Sequence, residues 1–148
     1  MKKLSIALTA AALFVTPAAP VLAQSYSCKI QPTKKFKQNA TVNSTFRFRF
    51  NGDAVSVSDG FIRATGKRSV NGKFDRKVGN DLIFSWRVGG VPRKLMPSET
   101  SWYRPTVDYR GRIDTKTGRV RVTANFVQRY GGGSSGSNIR GVGKCRRG

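Results

Sequence analysis

The chain contains no histidine. That absence removes the Ser-His-Asp and Cys-His nucleophile arrangements, the paired histidines of many ribonucleases and every imidazole metal ligand. Its two cysteines cannot by themselves build a tetrahedral thiolate zinc site. Carboxylates are scarce as well, with seven Asp and Glu in 148 residues and Glu99 the single glutamate. A paired-carboxylate glycosidase would have to draw on Asp81, Glu99 or Asp108. Nothing in their spacing brings them together, and the many cations around them favour the ionised form, which suits a base better than an acid. Asp75 and Asp81 flank Gly79-Asn80 and are placed to face each other across a hairpin. No catalytic set, metal site or cofactor is expected.

Strong helix formers are rare beyond residue 23. Two leucines (Leu82, Leu95), four alanines and Glu99 remain, against eight Phe, four Tyr, two Trp and sixteen Gly. Aromatic and β-branched residues suit pleated sheets, so a helical bundle is excluded and an all-β fold is expected.

The first residues have another character. Met1-Lys2-Lys3 is a cationic start, Leu4 to Val15 is apolar, and the stretch that follows ends Val21-Leu22-Ala23. This order is that of a cleaved secretory signal of bacterial type, residues 1–23. The apolar run is shorter than the roughly 20 residues a spanning helix needs. Ser25 and Ser27 occupy positions where a lipoprotein signal requires Leu and a small apolar residue before Cys28. The expected product is one domain, residues 24–148, periplasmic or secreted. In that oxidising compartment Cys28 and Cys145 should form one disulfide.

Alternating strands and turn signals fill that domain. Thr45-Phe46-Arg47-Phe48-Arg49-Phe50 places three Phe on one face and two Arg on the other, and Asn51-Gly52 follows as a hairpin turn. Residues 53–58 form the next strand, and Asp59-Gly60 is expected to turn the chain. Phe61 to Val70 then reads as a strand with an irregularity at Gly66, and Asn71-Gly72 as a further turn. Lys73 to Val78 and Asp81 to Val88 flank Gly79-Asn80. Residues 89–105 form a long loop, with a short helical turn expected around Ser98 to Tyr103. Thr106 to Ile113 and Gly118 to Val127 flank the turn Asp114-Thr115-Lys116-Thr117; residues 131–137 are a Gly/Ser loop, and Asn138 to Cys145 is the last strand. About eight strands joined to their sequence neighbours predict an antiparallel up-and-down meander closing into a barrel, or a sandwich if it stays open. A disulfide between first and last strands favours closure. A membrane barrel is not expected, because the outward partners on these strands are arginines. The architecture resembles small secreted ligand-binding barrels, a likeness of topology that carries no function.

What the chain has in abundance is positive charge. Beyond residue 23 there are 26 Lys and Arg, sixteen of them Arg, against seven acids. The resulting +19 is far above the magnitude of about 2–8 that keeps a small domain soluble. The leading expectation is therefore a non-enzymatic binding protein whose outward Arg47, Arg49, Arg87, Arg119 and Arg121 meet a polyanion. That partner would be lipopolysaccharide, another envelope anion or an acidic protein. Nucleic acid is not the expected partner, since export argues against it and no RNP or zinc motif occurs. Trp102, Tyr103 and Arg104 have the composition of a contact hot spot in the long loop. Two further readings stand beside this one. The barrel could carry a small apolar or amphiphilic ligand lined by Phe46, Phe48, Phe50, Phe84 and Trp86. The protein could also be an inhibitor or adaptor of an extracytoplasmic protein, inserting the Trp102 loop. A monomer is expected.

Overall fold

A computed structural model describes residues 23–33, 41–92, 106–127 and 138–148. The leader 1–23, apart from Ala23 itself, the 98–103 turn and the 131–137 loop lie outside the described residues. Eight antiparallel strands run in sequence order: β1 (Gln24–Pro32), β2 (Ser44–Asn51), β3 (Ala54–Ser58), β4 (Val70–Val78), β5 (Asp81–Val88), β6 (Thr106–Asp114), β7 (Arg119–Val127) and β8 (Ile139–Arg147). Each pairs with its neighbours, and β8 pairs back onto β1 to close the barrel. Cys28 lies directly opposite Cys145 across that closing seam, and their disulfide ties the first strand to the last.

Alternation decides the faces. Phe46, Phe48 and Phe50 point inward while Arg47 and Arg49 are exposed. Inside, β-branched residues such as Val55, Val57, Val107 and Ile113 complete the packing. Phe84 lies opposite Gly111 on β6, where an added Cβ would come within 2.4 Å of the Phe84 ring. The glycine leaves the volume into which that ring folds.

The connections divide the barrel into two ends. Short turns at Asn51-Gly52, Gly79-Asn80 and 115–118 share one end with the start of β1 and the end of β8. Gly52 and Gly79 both adopt φ +58°, a left-handed conformation that glycine enters without steric cost. The connections 33–43, 59–69, 89–105 and 128–138 all join strands at the opposite end.

Three expected features of the 59–72 stretch are corrected. Asp59-Gly60 is not a hairpin turn and Phe61 to Val70 is not a strand. Asp59 is the N-cap of a short helix, α1 (Gly60–Ala64), its side chain accepting from the Ile62 amide at 2.8 Å. Phe61 and Ile62 are consecutive and both buried, which a strand with one buried face does not allow. Asn71-Gly72 is likewise inside β4 rather than a turn. Gly72 sits opposite Trp86, and a Cβ there would lie 2.3 Å from the Ser85 carbonyl. The strand needs a residue without a side chain at that close approach. Asp75 and Asp81 do not face each other, because the register shifts between Phe74 and Arg76 and Asp81 pairs with Val78.

Candidate anion-binding face

In a closed barrel, residues paired across successive strands form rows around the outer wall, spaced by about 4.8 Å from strand to strand. Which outward residues share a row depends on register alone. One row runs Lys29 (β1), Lys144 (β8), Arg119 (β7), three cations directly opposite one another. A second runs Arg76 (β4), Ile83 (β5), Arg112 (β6), Arg121 (β7), Val142 (β8). In it Val142 is left 46% exposed, and Arg112 stands directly opposite Arg121. A third runs Lys73 (β4), Ser85 (β5), Arg110 (β6), Thr123 (β7), Arg140 (β8).

Acids neutralise only a few of these charges. Asp108 takes Arg87 in a two-pronged contact at 2.5 and 2.9 Å, and Asp81 takes Arg112. Both arginines are held above their ordinary pKa, first by the hydrogen bond to the carboxylate and then by its charge. Asp75 accepts from Ser85 Oγ at 3.2 Å. Asp114 accepts from the Lys116 and Thr117 amides and closes its turn, and the Thr117 hydrogen bonds hold its carboxyl below the usual range. No other ion pair occurs among the described residues.

Two shallow clefts open on this wall. One, of about 470 Å³, is lined by Asp75, Arg76, Arg112 and Arg121 together with Ser85, Arg110 and Thr123. The other, of about 850 Å³, adds Lys73, Arg87, Asp108 and the carboxamides of Asn71, Asn125 and Asn138. Ser85, Arg110 and Thr123 line both, so the middle of the third row is the boundary the clefts share.

The five arginines singled out in the sequence are all exposed on the outer wall, but the fold does not gather them into one patch. Arg119 and Arg121 stand among the cations of β8 and β6, Arg87 is occupied by Asp108, and Arg47 and Arg49 stand apart on β2. Lys29, Lys73, Arg76, Arg110, Arg112, Arg140 and Lys144 were not singled out. Their outward phase was readable from alternation, whereas their mutual opposition required the register. Trp102, Tyr103 and Arg104 lie outside the described residues. Phe46, Phe48, Phe50, Phe84 and Trp86 all point inward and pack on one another. Ring centroids are 4.9 Å apart for Phe48–Phe84, 5.1 Å for Phe50–Phe84 and 6.0 Å for Phe46–Trp86. The rings thus pack on one another inside the barrel.

Among the described residues no group of His, Cys, Asp or Glu could hold a metal ion, and no helix is long and apolar enough to cross a membrane. Comparisons with family models, curated proteins and solved structures find no match to this chain.

Proposed function

We propose that this protein is an exported, non-enzymatic β-barrel that binds a polyanion of the bacterial envelope through its outer wall, after removal of residues 1–23. The observation that supports this most directly is the row Lys29–Lys144–Arg119. Like charges directly opposite on a sheet destabilise it. A fold that keeps three of them in line accepts a standing cost that a bound polyanion relieves. Packing of the five interior rings on one another favours the outer wall over an interior ligand.

The test is binding of the mature, oxidised protein to lipopolysaccharide micelles and to inorganic polyphosphate, followed by fluorescence anisotropy at rising salt. Affinity should fall by about 10- to 1,000-fold between 50 and 200 mM salt, as several ionic contacts exchange for free counterions. No binding at low salt, or binding indifferent to salt, would falsify the proposal.

A further inference from the structure

Two neighbouring strands put three arginines and a threonine at the corners of one small square on the outer wall. Arg110 and Arg112 both point outward on β6, and directly across from them on β7 stand Thr123 and Arg121. Opposite pairs on a sheet lie about 4.5–5.5 Å apart and diagonal pairs about 7–8 Å, within reach of long side chains. The diagonal here joins Arg110 to Arg121. All four residues line the same cleft of about 470 Å³.

Charge in this cleft is unbalanced. Its lining holds Arg76, Arg110, Arg112 and Arg121 against Asp75. Asp81 reaches Arg112 from β5 through Nη2 alone, which leaves that guanidinium further N–H groups to donate. Arg110 and Arg121 have no carboxylate partner among the described residues. Four arginines against Asp75 and Asp81 leave two positive charges.

We propose that this cleft is a subsite for one phosphate monoester in its dianionic form, held between Arg110 and Arg121. The inference rests on the polyanion reading above and names the anionic group that the wall selects. A phosphate monoester presents three acceptor oxygens and close to two negative charges at neutral pH. That matches two uncompensated cations with donors at every corner of the square, the guanidiniums of Arg110, Arg112 and Arg121 and the Thr123 hydroxyl. A carboxylate or a phosphodiester brings one charge and two free oxygens, and leaves one arginine without a counter-charge. Asp75, which accepts from Ser85 Oγ on the β4 side, repels a second anion, so the cleft takes a single group. The cleft is shallow and the alcohol of the ester stays outside it. A lipid headgroup and a soluble sugar phosphate therefore offer the same chemistry.

The absence of histidine makes the charge state of the ligand readable. Histidine is the side chain whose ordinary pKa falls between pH 5 and 8, and this chain has none. Asp59, whose pKa burial raises, caps α1 and does not line the cleft. Loss of binding on acidification thus follows the second ionisation of the phosphate, at about pH 6.

The experiment titrates the full oxidised protein with glycerol 1-phosphate, a monoester, and with dimethyl phosphate, a diester, following the arginine Nε–Hε signals by NMR. The monoester should bind about tenfold or more tightly at pH 7. Its affinity should fall about tenfold by pH 5, as the dianion fraction does, while that of the diester stays level. Arg110→Gln and Arg121→Gln should each weaken the monoester about tenfold or more, the expected loss for a hydrogen bond to a charged group. Arg68→Gln, an exposed cation in the 59–69 connection, should change it less than twofold. Phosphatidylcholine vesicles containing phosphatidic acid or phosphatidylglycerol separate the sources. Preference for phosphatidic acid assigns a lipid headgroup, and binding of glycerol 1-phosphate without that preference assigns a soluble ester. If the monoester binds no better than the diester and Arg110→Gln matches Arg68→Gln, while lipopolysaccharide and polyphosphate still bind, the wall is an unselective cationic surface. This inference then falls and the function above stands. If lipopolysaccharide and polyphosphate also fail to bind at low salt, both fall together.

Discussion

Asp59 shows how much a single residue can organise. Its carboxylate is almost fully buried, with Oδ1 accepting from the Ile62 amide and Oδ2 from Ser44 Oγ, each at 2.8 Å. It thereby caps α1 and ties the helix to β2. Burial raises its pKa above the ordinary 3.8, with the Ile62 and Ser44 hydrogen bonds opposing the shift. Burial, and then the Asp59 charge, also hold the Tyr109 phenol well above its usual value. Because the folded state holds the Asp59 proton more tightly than the unfolded chain, the stability it contributes is complete below pH 3.8 and is lost as pH rises through the folded value. Asn caps helices as well as Asp does. Asp59→Asn should therefore keep the fold and flatten the pH profile, so that wild type loses ground to the variant from pH 3.8 upward. Asp59→Ala should lose about 1–2 kcal/mol from the missing cap. Urea midpoints across pH check both, and parallel profiles for wild type and Asp59→Asn would sink the argument. The capping role was legible in principle, as Asp59 stands three residues before Ile62. Gly60 beside it imitated a turn.

At the level of elements, alternation was the dependable signal. It separated the Phe face from the Arg face of β2 residue by residue, and it did the same for β5 and β7. It failed where two apolar residues adjoin, at Phe61-Ile62, and where glycine serves close approach rather than turning, at Gly72. Register was legible only across two-residue turns such as Asn51-Gly52, whose geometry fixes it; across the longer connections the partners lie on distant strands and no local residue encodes them. The row Lys29–Lys144–Arg119 is thus a product of pairing. Lys144→Glu would replace two repulsive cross-strand pairs with two attractive ones. It should stabilise the protein by about 1 kcal/mol while weakening polyanion binding. Chemical denaturation and salt-dependent binding, run on the same preparation, test the two effects. A variant that loses stability instead would remove the case for a functional cost at this row.

For the whole molecule, closure is the decisive event. The seam joins β1 to β8, strands separated by nearly the full described chain, and the Cys28–Cys145 bridge spans 117 residues across it. In the loop-entropy account, opening a bridge of this length removes about 4–5 kcal/mol of stability. That is a large share of the roughly 5–15 kcal/mol typical of a small domain. Reduction, or the Cys28→Ser/Cys145→Ser double variant, should move the denaturation midpoint down by a corresponding amount. A midpoint that stays in place would mean that strand pairing and the aromatic interior hold the seam without the bridge.

The sequence by itself determined the fold class, the strand faces, the pairing of the two cysteines and the sign of the outer wall, because each follows from local alternation, composition and a choice of partners reduced to one. Tertiary structure alone decided which cations stand opposite which across the seam, and that Gly72 and Gly111 make room for Trp86 and Phe84. These depend on register and closure. Both are set by the summed packing of eight strands around one core, and no stretch of neighbouring residues holds that sum.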